Sequence, residues 1–221
     1  MEQTIATAGT APLWTILIAT LSRRQYLFLG LLDVLLPQCE AAGNVQILAC
    51  SNDAQETIGQ IRMRLLEAAT GDYVSFVDDD DMVADDFVEA IVPLLADTPD
   101  VVGFNVRYTE PSGLSRPCFL SIRHEPHDDA AGLWRDLTHV QPLKRELALL
   151  GDFRTGWPED SSWRSTVRPH VHTEAYLDRE MYAYRHDPRD SVQTGSHHPD
   201  SGGDQPRKEI TSPTLRYLGW P

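Results

Sequence analysis

Cysteine is scarce and badly spaced for a scaffold. Cys39, Cys50 and Cys118 form an odd set with no CxxC pair, so neither a disulfide framework nor a cysteine zinc site is indicated. Positive charge is also in short supply. Nineteen Lys and Arg face 33 Asp and Glu, a formal charge of −14. A broad basic surface for duplex nucleic acid is thereby excluded, as is a basic amphipathic helix for a membrane surface. The longest apolar runs fall well short of the roughly 20 residues a membrane span requires. No basic residue precedes Arg23, whereas a secretory signal needs positive charge ahead of its apolar stretch. The expectation is a soluble, cytoplasmic protein without a transmembrane anchor.

The 221 residues are 41% hydrophobic and 24% charged, which excludes wholesale disorder, collagen and coiled coil. Trp14–Ala19, Val45–Cys50, Tyr73–Val77 and Val101–Tyr108 are short apolar, β-branched runs that read as buried strands. Between them lie helical patterns. Leu27, Leu31 and Leu35 mark a helix from Arg23 to Leu36, with Ser22 as its cap and Pro37 as its stop. Ile58, Ile61, Leu65 and Ala69 mark a helix over 56–69, ended by Gly71. Phe87, Val88, Ile91 and Leu95 mark a third, over 85–96. This alternation predicts an α/β domain with a mostly parallel central sheet flanked by helices. Ligands bind such sheets beyond the C-terminal strand ends, where Thr20, Asp53 and Asp78 fall.

The second half is less regular. A strand is expected over 118–122, a helix over 143–150, a turn at 156–160 leading into a helix through Trp163, and a strand over 175–185. The organisation expected is a flexible N-terminus (1–12), an α/β half (13–110), a less regular half of the same domain (111–192) and a flexible tail (193–221), with 215–220 docking.

Asp78, Asp79, Asp80 and Asp81 follow directly on the strand YVSFV. Like charges this close raise one another's pKa unless a cation offsets them. Mg²⁺ or Mn²⁺ would do so, sharing its remaining positions with a phosphate. Continued extended geometry would point Asp78 and Asp80 to one side and Asp79 and Asp81 to the other. The alternative is a solvated acidic turn that begins the next helix.

Four segments in order, TILIATLSRR (15–24), GQIRMRLLEAATGDYVSFVDDDDMV (59–83), GWPED (156–160) and YAYRHDPRDSV (182–192), resemble the family 2 glycosyltransferases. The resemblance runs from Thr15 to about Val192, and implies that 13–110 is the nucleotide-sugar-binding half and 111–192 the acceptor and catalytic half. It implies the GT-A fold and metal-dependent, inverting transfer from a UDP-sugar, UDP-glucose being the default. Ala19 and Thr20 would then touch the uridine and Asp53 the uracil. Arg62 would lie at the nucleotide, and Asp78 and Asp79 in the donor-binding turn. Asp80 would contact Mn²⁺ or Mg²⁺, with His186 a late metal or diphosphate ligand and His170 and His172 as rivals. Asp160 would be the catalytic base, flanked by Glu159 and Trp157 on the acceptor side. His139, Lys144 and Arg145 resemble the acceptor-side segment. The first loop reads Ala19-Thr20-Leu21-Ser22 where the family commonly has Pro-Thr-Tyr-Asn, and Met63 stands where Asn is common.

The acceptor stays open: a glycan, a lipid-linked sugar, a protein or a modified nucleobase. A sugar-nucleotide nucleotidyltransferase is a rival, but it needs a Gly-rich basic loop after the first strand, and TLSRR has no glycine. A non-catalytic protein that binds a nucleotide-sugar or a partner on the same fold is the other.

Overall fold

The computed structural model describes residues 11–51, 56–155, 158–185 and 212–217. The first half alternates as the apolar periodicity predicts: β1 (Trp14–Thr20), α1 (Gln25–Ala42), β2 (Val45–Ser51), α2 (Ile58–Ala68), β3 (Tyr73–Phe76), β4 (Met82–Val83), α3 (Phe87–Leu95) and β5 (Val101–Thr109). The second half adds β6 (Ser115–Leu120), β7 (His127–Asp128), β8 (Leu133–Arg135), β9 (Leu143–Lys144), α4 (Arg145–Ala148), α5 (Glu159–Val167), β10 (Glu174–Arg185) and β11 (Leu215–Tyr217).

The strands form one sheet in the order β11-β2-β1-β3-β9-β5-β6-β8-β7, with β10 beside β5 and β4 on β10. β11, β2, β1 and β3 run parallel. β9 enters antiparallel between β3 and β5. Strand β1 shows why both faces are covered. Trp14, Ile16 and Ile18 pack with Phe28, Leu31, Leu35, Phe87 and Ile91 of α1 and α3. Leu17 points the other way, toward Ile61, Leu65, Phe76, Phe153 and Trp163. The period-2 alternation of a strand thus feeds two separate cores.

Several local expectations are corrected. Helix α1 does not stop at Pro37 but continues to Ala42, where Gly43 closes it at φ 73° with its N–H on Cys39 O. Burial of Leu35 and Cys39 draws the helix on, and Gln38 ties the added turn to its neighbours. Its Nε2 donates to Val34 O and Ala84 O, and its Oε1 accepts the Val88 N–H at the start of α3. Ser22 opens a short 3₁₀ turn (Ser22–Arg24) instead of capping α1. Helix α2 begins at a capping box between Thr57 and Gln60 and ends at Ala68, ahead of Gly71. That glycine serves a close approach: its N–H donates to Thr15 Oγ1, and a Cβ there would lie 2.7 Å from Thr15 N. The helix expected over 143–150 is split, because Leu143 pairs with both Val74 and Val101 and only Arg145–Ala148 is helical.

Candidate functional site

Strand β3 ends at Phe76, and the four aspartates leave extended geometry at once. Asp81 N–H donates to Asp78 O at 3.1 Å, closing a turn. The expected side-by-side alternation is therefore replaced by four different environments.

Asp78 faces α2 and α5. Arg62 Nη2 donates to its Oδ1 at 2.9 Å, and His139 Nε2 lies 3.5 Å from its Oδ2. Burial alone would raise this carboxyl, but Arg62 and His139 outweigh it and hold it well below the usual range. Asp79 is turned inward. Thr20 Oγ1 donates to one oxygen at 2.7 Å and Arg24 to the other at 2.8 Å. Burial still pushes it to about 6 against the pull of Arg24 and Thr20. Asp80 pairs with the second arm of Arg24 but keeps a quarter of its side chain exposed. Burial raises it as well. Asp81 is buried and accepts from Tyr182 Oη at 2.7 Å and from Arg185 N at 2.8 Å. Burial, then the charge of Asp78, pushes it up to about 8.

Arg62 links this turn to α5. It is 6% exposed, lies over the rings of Phe76 and Phe153, and donates to Glu159 Oε1 at 2.7 Å. Its Nη2 also lies 3.2 Å from His139 Nε2. Glu159 and Asp160 occupy the first turn of α5, where acidic side chains suit the helix dipole. Asp160 Oδ1 accepts from Ser161 N. Beyond the aspartate turn opens a cavity of about 450 Å³. Asp78, Asp81, His139, Asp160, Arg164 and Tyr182 stand on its wall, and Tyr108 and Tyr184 stack at 4.9 Å beside it.

The fold therefore brings Thr20, Arg62, Asp78, Asp79, Asp80, His139, Glu159 and Asp160 to one edge of the sheet, with Ala19 packed beneath the first loop. Asp53, Trp157 and His186 lie outside the described residues. Lys144 is separated from His139. It pairs with Asp100 and is in register with Tyr73, at the opposite end of β3. His172 is at that far end too, its N–H on Asp100, and His170 is only two residues away. Three participants are given no role at the site by the sequence: Arg24, Asp81 and Tyr182. The doubled arginine of TLSRR and the alternating tyrosines of YAYR were the available signals, but their targets are 55 and 101 residues away.

Among the described residues no three His, Cys, Asp or Glu side chains form a ready-made metal site. The charge balance nevertheless fits a hard cation. Burial and mutual repulsion raise Asp79, Asp80 and Asp81 despite Arg24, so negative charge is in surplus. Mg²⁺ needs only one or two carboxylates when a phosphate supplies further oxygens. Asp80, a quarter exposed at the rim, is suited to that contact.

Residues 39–138 match the family model described as glycosyl transferase family 2. No curated protein sequence matches the chain. Among solved structures, S. aureus TarS 1–349 is similar at 13% identity and a TM-score of 0.56, covering 77% of this chain and 59% of that one. The same protein in complex with UDP-GlcNAc matches at 14% and 0.55, over 79% and 59%. In complex with UDP it matches at 14% and 0.57, over 80% and 61%. The chain thus spans about three fifths of the length of those structures. At these identities the likeness establishes the fold alone: the segment that matches the family model lies within an α/β domain similar in fold to those structures. Among the described residues no helix is long and apolar enough to cross a membrane.

Proposed function

We propose that this protein is a glycosyltransferase that moves a sugar from a UDP-sugar to an acceptor hydroxyl, with metal assistance and inversion at C1. The observation that carries this reading is the Asp78–Arg62–Glu159 bridge. It joins the aspartate turn to the helix start bearing Asp160, so that Asp78 and Asp160 line one cavity. The family match and the TarS complexes with UDP and UDP-GlcNAc support a UDP-sugar donor.

The donor diphosphate would lie over the aspartate turn beside Thr20 and Arg24. Bound at Asp80, Mn²⁺ or Mg²⁺ would act as a Lewis acid toward the charge that grows on the leaving diphosphate. Asp160 takes the proton from the acceptor hydroxyl as its oxygen attacks C1. The bond from C1 to the phosphate oxygen breaks, UDP leaves with the electron pair, and the sugar inverts. Arg62 keeps the turn and the base in fixed relation by holding Asp78 and Glu159 together.

Calorimetric titration of UDP, UDP-GlcNAc and UDP-glucose, with and without Mn²⁺, tests the donor half. Metal-dependent binding that is lost in Asp80→Asn is the expected result. Asp160→Asn should bind UDP as the parent does while transfer, followed as UDP release, falls at least a hundredfold. Absence of UDP binding with or without metal would sink the reading. Full transfer by Asp160→Asn would remove the base from Asp160.

A further inference from the structure

Strand β10 lies a hundred residues after the aspartates, yet it holds their turn. The buried Tyr182 accepts the Asp78 backbone N–H on its hydroxyl at 3.1 Å and donates to Asp81 Oδ2 at 2.7 Å. Three residues on, the Arg185 N–H donates to Asp81 Oδ1 at 2.8 Å. The turn's own closure is the single bond from Asp81 N–H to Asp78 O. Both of its ends are thus fastened to β10, and Tyr182 fastens both at once. The strand is itself fixed twice at this point. Tyr182 is in register with Val83 of β4 and with Val106 of β5, so two ladders set where the hydroxyl sits.

We infer that Tyr182 is a positioning residue that holds the aspartate turn in the shape presenting Asp78 and Asp80 to the donor. The inference rests on the donor reading proposed above. The physical reason lies in burial, Tyr182 and Asp81 being 3% and 2% exposed. Without the hydroxyl, the Asp78 N–H loses its acceptor and the Asp81 carboxylate loses one of its two donors, with little water to replace either. The turn then reorganises to recover partners, and the carboxylates at its corner move with it.

Tyr182→Phe keeps the ring and removes only the hydroxyl. Tyr176→Phe is the control: it removes a hydroxyl from the same strand, one that bonds Asn105 instead of the turn. Both variants should lower the unfolding midpoint modestly. Only Tyr182→Phe should weaken UDP binding in the presence of Mn²⁺, by about tenfold, and speed hydrogen exchange of the Asp78 amide. Unchanged UDP affinity in Tyr182→Phe, or an equal loss in Tyr176→Phe, overturns the assignment. If the parent protein binds no UDP, the donor reading is what fails. The Asp78 amide then decides the positioning claim, and an unchanged exchange rate overturns it.

Discussion

Arg62 is a cation with almost no water around it, held by Asp78 and Glu159 from chain positions 16 and 97 residues away. Pairs of this kind contribute little net stability when complete, but breaking one leaves charge stranded in a poorly solvated place. Arg62→Ala leaves two carboxylates facing each other across the vacated space. Urea denaturation should show a loss of about 3–5 kcal/mol. Arg62→Lys should recover only part of this, because one ammonium cannot span both carboxylates as a planar fork does. A loss under 1 kcal/mol would mean that the bridge does not hold the two halves of the site together. The type of this residue was legible in the Gly-x-x-Arg segment. Its role was not, because nothing local to α2 names Glu159 as its partner.

At the scale of elements, α2 is the part whose placement matters most to the site, since it carries Arg62. It is seated through Gly59, where a Cβ would lie 2.1 Å from the Phe153 carbonyl oxygen. That contact is backbone against backbone and cannot be relieved by a rotamer change. Gly59→Ala should therefore destabilise the protein by roughly 1–3 kcal/mol, although alanine is the better helix former. An unchanged or raised unfolding midpoint would show that α2 can slide without cost. The helices and strands of the first half could be read from periodicity, because each buries one clear apolar face. Their ends could not. α1 runs through Pro37 because Leu35, Cys39 and Gln38 find partners on β2, α3 and the segment before it. β9 interrupts an expected helix because Leu143 completes the sheet between β3 and β5. Both are tertiary contacts overriding a local preference.

For the whole molecule, the shifted carboxyls form two sets that work in opposite directions with pH: Asp78 and Asp100 are depressed, Asp79 and Asp81 raised. Asp100 sits at the junction of β5, β9 and the entry to β10. Burial would raise it, but Lys144 and the N–H groups of His172 and Thr173 bring it down to about 2. A depressed carboxyl stabilises the fold above its unfolded value, and that stability is lost as pH falls from about 4 toward 2. Asp79 and Asp81 are raised to about 6 and about 8, mainly by burial. Their contribution is complete below about pH 4 and is lost as pH rises through those values. The metal-free protein should thus be most stable at about pH 4, as read by thermal unfolding across pH 2–9. Asp100→Asn should flatten part of the acid limb, Asp78 carrying the rest, and Asp81→Asn should flatten the alkaline limb. A stability that climbs steadily from pH 5 to 8 would contradict the burial of the aspartate turn.

By itself the sequence determined the class of the fold and the place to look. Short apolar runs alternating with helical periodicity leave a helix-covered, largely parallel sheet as the economical way to bury both faces. Such a sheet collects its loops at the carboxyl ends of its strands, where Thr20 and the four aspartates stand. Tertiary structure alone decided which aspartate does what. The four residues are chemically identical, and their differences come from what the fold sets against each. Asp78 meets Arg62 and His139, Asp79 meets Thr20 and Arg24, Asp80 meets Arg24 at the rim, and Asp81 meets Tyr182. Those partners come from four other parts of the chain, so no local pattern could distinguish the carboxylates before the chain had folded.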